Sequence, residues 1–173
     1  MSAQANPKLG LRPYLPADAP LLAEIFRASV EELTAEDYSE AQRGAWIAAA
    51  DDEAAFGARL GQGLTLVATI GGSAVGFVSL KGADHLDLLY VHPAVAGQGI
   101  GAMLCDAVEK LAAARGTPRL TADASDSARG FFEHRGYVAQ RRNTVSLGDE
   151  WFANTTMEKR LTPKASTPKG GAS

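Results

Sequence analysis

The sequence predicts a mixed α/β fold, and three observations carry that prediction. The stretches Leu64 to Ile70 and Ala74 to Leu80 flank Gly71-Gly72-Ser73, the best hairpin signal in the chain. The mostly apolar run His85 to Val91 leads through a glycine-rich turn into a helical pattern. In that pattern Ile100, Leu104, Val108 and Leu111 form one stripe at steps of four, four and three, with Asp106, Glu109 and Lys110 off it. Two last strand patterns, Tyr137 to Leu147 and Trp151 to Leu161, read as an antiparallel pair.

The other elements follow in order. Leu9 to Tyr14 is a short strand, and Asp18 can cap a helix in which Leu21, Leu22, Ile25 and Phe26 recur at helical spacing. A second helical region runs from about Ala35 to Ala50, and Asp51 to Leu60 makes another short helix. Gly116 and Pro118 end the helix after the glycine turn, and Arg119 to Ala122 is the next strand. The count is about seven strands, and there is no internal repeat.

A chain of 173 residues, 46% of them hydrophobic, can bury one substantial core. The expected organisation is a single domain over 1–161. The last dozen residues, TPKASTPKGGAS (162–173), are poor in apolar groups and are expected to be a disordered tail. A net charge of −3 with mixed signs argues against a nucleic-acid binder. No apolar run is long enough for a membrane span, and MSAQANPK lacks a signal-peptide core, so a cytoplasmic location is expected. The single Cys105 has no internal disulfide partner and sits at the edge of the helix stripe, a small core residue in character.

The most informative segment is His92-Pro93-Ala94-Val95-Ala96-Gly97-Gln98-Gly99-Ile100-Gly101. Glycines at alternate positions let backbone amides approach an anion, and the following helix adds unpaired N–H groups and partial positive charge, so a diphosphate can be held without lysine. Gly97, Gly99 and Ala102 also fit the dinucleotide pattern G-x-G-x-x-A, with Asp123 as a ribose-binding acid. Against that reading, His92 to Ala96 intervene between strand and first glycine, and only about seventy residues follow, few for a doubly wound sheet. No Gly-Lys-Ser/Thr follows the glycines, which excludes a P-loop.

Three landmarks in order, Leu89-Tyr90-Val91-His92-Pro93, Gly97-Gln98-Gly99-Ile100-Gly101 and Ala128 to Tyr137 (ARGFFEHRGY), resemble the GNAT superfamily of acetyl-CoA-dependent N-acetyltransferases. With Trp151-Phe152-Ala153-Asn154 and Met157 to Leu161, which resemble the last strand of bacterial members, the likeness covers residues 8 to 161. It implies a mixed, mostly antiparallel central sheet flanked by helices and acetyl-CoA as co-substrate. The implied cofactor contacts are Leu89, Tyr90 and Val91 on the fourth strand, Gly97, Gln98, Gly99, Ile100, Gly101 and Ala102 in the loop, and Ser125 and Phe132 beyond it. A backbone amide near Leu89 is implied to hold the acetyl carbonyl. The chain departs from the family pattern at three places. Ala96 replaces the usual Arg or Gln, Phe132 the frequent general-acid tyrosine, and Ser125 a common asparagine.

For proton chemistry, strand alternation puts His85, Asp87 and Leu89 on one face and Leu86, Leu88 and Tyr90 on the other. Some family members carry a catalytic carboxylate at the place matching His85. Imidazole, with an unperturbed pKa of about 6.5, suits the same proton removal, and Asp87 can orient it. Tyr38 is a third catalytic candidate, with Tyr90, Tyr137 and Ser125 as further proton donors. Tyr38 lies in VEELTAEDYSE, an acidic stretch that either attracts a cationic amine or is a solvated helix face. Trp46 and Trp151 either line the acceptor pocket or pack. The expected reaction is direct acetyl transfer to a primary amine of a small molecule. The alternatives are acetylation of a protein N-terminus or lysine, and an acyl-CoA-binding module that has lost catalysis. No metal, nucleic acid or membrane is expected as a partner; a homodimer is left open.

Overall fold

The computed structural model describes residues 8–161; the tail expected at 162–173 lies outside the described residues. The elements in chain order are β1 (Leu9–Pro13), α1 (Ala19–Leu33), α2 (Glu40–Ile47), α3 (Glu53–Leu60), β2 (Thr65–Ile70), β3 (Ser73–Lys81), β4 (His85–Val91), α4 (Ile100–Ala114), β5 (Arg119–Ser125), α5 (Arg129–His134), β6 (Val138–Leu147) and β7 (Glu150–Arg160). The seven strands form one sheet in the order β1-β2-β3-β4-β5-β7-β6. Every neighbouring pair is antiparallel except β4 and β5. This is the mixed α/β architecture expected. Among the described residues no helix is long and apolar enough to cross a membrane.

Local chemistry accounts for the boundaries. Ser39 starts α2 rather than Ala35, because its hydroxyl accepts from Gln42 N–H at 3.0 Å while Gln42 Oε1 accepts from Ser39 N–H at 2.9 Å. The residues from Thr34 to Ser39 therefore form a turn, not helix. Asp52 caps α3 through Ala55 N–H. Asp18 precedes α1 but does not cap it. Its carboxylate turns back to Leu15 N–H and to the Arg12 guanidinium, both at 2.8 Å. The β2–β3 hairpin turns at Gly71 and Gly72, both with positive φ, as a two-residue loop of this twist requires.

Two apolar layers sandwich the sheet. On one face Ile100, Leu104 and Val108 of α4 pack on Leu66, Val78, Leu86, Leu120 and Met157. On the other, Leu22, Phe26 and Val30 of α1 and Phe56 and Leu60 of α3 pack on Val67, Phe77 and Leu88. Each large side chain so buried contributes roughly 1.5–3 kcal/mol. The α4 stripe ends differently from the pattern, since Ala112 is buried and Leu111 is 38% exposed. Glu109, read as an outward residue, is 8% exposed and is satisfied by Arg135 at 3.0 Å, Lys159 at 2.8 Å and Tyr137 Oη at 2.9 Å. Close seating of the start of α4 depends on Gly76 in β3, where a Cβ would meet Tyr90 O at 3.0 Å and Ile100 Cγ2 at 3.3 Å.

Candidate active site

The site begins with a failure of strand pairing. β4 and β5 pair only at His85↔Thr121 and Leu86↔Ala122, after which they part. A cleft of about 460 Å³ opens there, lined by both strands, α1, α5 and the β6–β7 hairpin. Because parallel strands cannot be joined by a tight turn, α4 connects them, and its N-terminus stands at the mouth of the gap. His92 N–H donates to Val75 on β3 at 2.8 Å. Alternation along an antiparallel pair then directs the Tyr90 and Leu88 amides to β3 and the Leu89 and Val91 amides into the gap. The expected amide donor near Leu89 thus has a free edge from which to work.

A bulge in β4 overturns the simple face assignment. Ser79 pairs with Leu88 and Leu80 with Leu86, so Asp87 is the extra residue. Alternation slips there. Leu86, Leu89 and Val91 pack with the α4 layer, whereas Leu88 and Tyr90 pack with α1 and α3. Leu89 therefore leaves the face of His85 and Asp87, and Leu88 and Tyr90 join it.

His85 and Asp87 do not pair. Both oxygens of Asp87 are taken by Arg59 of α3, at 2.8 Å from Nε and 3.0 Å from Nη2. The carboxylate near His85 is instead Asp123, with Oδ2 at 3.8 Å from Nε2. His85 Nδ1 lies 2.8 Å from Thr121 Oγ1, and that hydroxyl in turn donates to Asp84 C=O at 3.4 Å. In the tautomer where Nδ1–H donates to this hydroxyl, the Nε2 lone pair faces the cleft. In the sequence Asp123 stands out only as a ribose-binding acid of the dinucleotide pattern. Its place beside His85 comes from the β4–β5 pairing, which joins segments 36 residues apart.

Of the phenols, Tyr38 lines the cleft, but its hydroxyl accepts from Asp126 N–H at 2.8 Å and donates to Ala153 C=O at 3.4 Å. Burial pushes its pKa upward. Its role here is to tie the turn before α2 to β7 and the β5–α5 loop. Tyr90 also lines the cleft; its oxygen accepts from Trp46 Nε1 at 3.2 Å, and burial raises the phenol to about 12. Tyr137 donates to Glu109 in the core and is not a wall of the cleft. Trp46 lines the cleft in a cluster with Tyr38 and Phe152, with ring centroids 5.3 to 6.0 Å apart. Trp151 is 66% exposed and does not line it. Glu31, Glu32, Glu36, Asp37 and Glu40 are exposed and form no part of the lining, so the acidic stretch is a solvated face.

The cofactor candidates divide by distance from the gap. Leu89, Tyr90, Val91, Gly101, Ser125 and Phe132 line the cleft, whereas Gly97, Gln98, Gly99, Ile100 and Ala102 lie outside its lining. Gly97 and Gly99 hold φ of +81° and +85°, with nothing within 4 Å of where a Cβ would stand. The first backbone bond back from α4 to this loop is Met103 N–H to Gly99 O, so the amides before it are free for an anion. Ile100 is 2% exposed, and only its backbone can face a ligand. The Ser125 hydroxyl accepts from Ala128 N–H, holding the turn into α5. Phe132 is 4% exposed and meets Phe131 and Tyr137 edge to face, an apolar wall with no proton to give. Cys105 is fully buried, its thiol pushed up to about 12 by burial, and is not a wall of the cleft.

The geometry is matched by comparisons with known proteins. The family model for the acetyltransferase (GNAT) domain matches residues 34–161. The uncharacterized N-acetyltransferase YafP of Escherichia coli K12 is 31% identical over 147 residues, 85% of this chain and 93% of that protein. The peptidyl-lysine N-acetyltransferase YjaB of Salmonella typhimurium is 31% identical over 127 residues, 72% of this chain and 69% of that protein. A crystal structure from Rhodopseudomonas palustris, described as a GCN5-related N-acetyltransferase (Aminotransferase, Class-II), is 60% identical. It superposes with a TM-score of 0.86 over 93% of this chain and 99% of that one. A parted β4–β5 pair facing a glycine loop at a helix start, together with these matches, places the chain in the GNAT family: it is an acetyltransferase with acetyl-CoA as its co-substrate.

Proposed function

We propose that the chain transfers the acetyl group directly to a primary amine of a small molecule, residues 1–161 acting as one domain, with His85 as the base. The observation that carries this reading is His85 at the vertex of the β4–β5 gap, its Nε2 open to the cleft. Acetyl-CoA supplies the acetyl group as a thioester. The loop amides of Gly97 to Ala102 hold the diphosphate. Amides of Leu89 and Val91, aimed into the gap, bind and polarise the acyl end; pre-aimed donors of this kind are worth roughly 3 to 4 kcal/mol in measured oxyanion holes. His85 Nε2 takes the proton of the arriving ammonium, and Thr121 holds the ring in the required tautomer. Tyr90 keeps its proton at neutral pH, and Tyr38, the other phenol on the cleft, has its hydroxyl engaged by Asp126 N–H and Ala153 C=O. Direct transfer is favoured because Cys105 is buried, protonated and away from the cleft.

One second reading has support of its own. YjaB is described as a peptidyl-lysine N-acetyltransferase, and a lysine side chain is also a primary amine on an apolar stem. Thiol release from acetyl-CoA, followed across a panel of small amines, lysine peptides and N-terminal peptides, decides between them. Release that is dependent on a small amine and matched by its N-acetylated product supports the first reading. Release with lysine peptides alone supports the second. Acetyl-CoA binding without release from any acceptor would identify a binding module.

A further inference from the structure

Two carboxylates line the cleft, and only one has its charge taken up by a cation. Asp87 is held by Arg59 through two hydrogen bonds. Asp123 is held by neutral groups: its Oδ1 accepts from Thr156 Oγ1 at 2.6 Å, Thr156 Oγ1 accepts from Asn143 Nδ2 at 2.7 Å, and Asn143 Nδ2 also donates to Asn154 Oδ1 at 2.9 Å. This ladder runs across β5, β7 and β6 and fixes the carboxylate without neutralising it. The other oxygen, Oδ2, lies 3.8 Å from His85 Nε2, too far for a hydrogen bond between them. A nitrogen at ~2.9 Å from both atoms spans that gap.

We propose that Asp123 is the ammonium-binding residue of the acceptor site, and that the acceptor is a primary amine on an aromatic or apolar body with no carboxylate beside its nitrogen. The inference rests on the reading of the site given above and adds to it the class of acceptor. Alkylamines are protonated at neutral pH and enter as ammonium ions, which need a fixed negative charge where the proton is to be removed. At that position Oδ2 of Asp123 accepts one N–H while His85 Nε2 takes another proton, leaving the neutral amine to attack the thioester. The nitrogen–carbon bond forms as carbon–sulfur breaks, the thiolate leaves as thiol with the second amine proton, and the imidazolium returns its proton to solvent.

The rest of the cleft sets the body of the acceptor. Tyr38, Trp46 and Phe152 form one wall, and Leu33, Val145 and Leu147 stand on the rim. Arg59 is the one arginine or lysine of the lining among the described residues, and its Nε and Nη2 are committed to Asp87. A carboxylate next to the reacting nitrogen would therefore face Asp123 without a free cation to offset it.

The test is calorimetric binding to the full chain saturated with coenzyme A, with 2-phenylethylamine, phenylalanine and the neutral product N-acetyl-2-phenylethylamine as probes. The parent should bind the amine about tenfold or more tightly than the amino acid. Asp123→Asn should weaken the amine by about tenfold or more and leave the neutral product unchanged, which also reports an intact cleft. Thr156→Val, which removes the donor to Oδ1, should weaken the amine by less. This pattern without acetyl transfer would sink the proposed reaction and keep the anchor. Equal binding of phenylalanine, no binding of the amine to the parent, or unchanged amine affinity in Asp123→Asn would overturn the anchor.

Discussion

At the scale of single residues, hydrogen bonding separates groups that the sequence leaves equivalent. Tyr38 and Tyr90 both stand on the cleft, yet Tyr38 spends its hydroxyl on Asp126 N–H and Ala153 C=O. Tyr38→Phe should therefore keep most of the turnover and lower stability by about 1 kcal/mol, the ordinary net worth of a hydrogen bond, as read by denaturant unfolding beside steady-state rates. The place of His85 on β4 was legible from strand alternation, and its candidacy as base came from the resemblance, which sets a carboxylate there in some members. Asp87 was misread for a local reason: a bulge is not encoded in alternation, and Arg59, 28 residues earlier, competes for the carboxylate. Asp123 was hidden for a topological one, since its nearness to His85 exists only once β4 and β5 lie side by side.

At the scale of elements, the start of α4 is the proposed anion site and the start of α1 carries a pH signature. Gly99 holds a left-handed φ of +85° at the N-cap of α4, so Gly99→Val strains the loop and should lower acetyl-CoA affinity by at least about tenfold in calorimetry; unchanged affinity would place the diphosphate elsewhere. Ala96 is exposed just before Gly97, and Ala96→Arg should tighten coenzyme A by about 1 to 2 kcal/mol through one added charge-assisted contact. Loss of affinity would show that the arginine disrupts the loop. At α1, hydrogen bonds from the Arg12 guanidinium hold the Asp18 carboxyl below the usual carboxylate range. That pair stabilises the fold fully above the unfolded value of ~3.9 and loses its contribution as pH falls through the lower folded value. The stability deficit of Asp18→Asn against the parent should accordingly shrink toward zero as unfolding is measured at progressively lower pH. The glycine loop was readable because the backbone requirement falls on the residues that meet it. The extent of the second helix was not, because the capping box at Ser39 and Gln42 competes with the weaker helical periodicity before it.

At the scale of the whole molecule, the seven strands and their helices were readable from periodicity and turn residues, while the sheet order was implied by resemblance. The insertion of β7 between β5 and β6 brings Asn154 to the cleft and Thr156 against Asp123, and no local pattern announces it. The fold is a frame in which one parallel pair parts: α4 begins at the mouth, β4 leaves an edge unpaired beyond Leu86, and Tyr38, Trp46 and Phe152 form an aromatic wall. The proposed reaction turns on base catalysis by His85 at that junction. It is tested most directly by kcat against pH for the parent and for His85→Gln, each with two acceptor amines of different basicity. The parent should show an acid limb that stays in place when the acceptor is changed, and the variant should lack the limb and turn over roughly 10² to 10⁴ times more slowly. A limb that follows the basicity of the acceptor, with equal kcat in parent and variant, would contradict it.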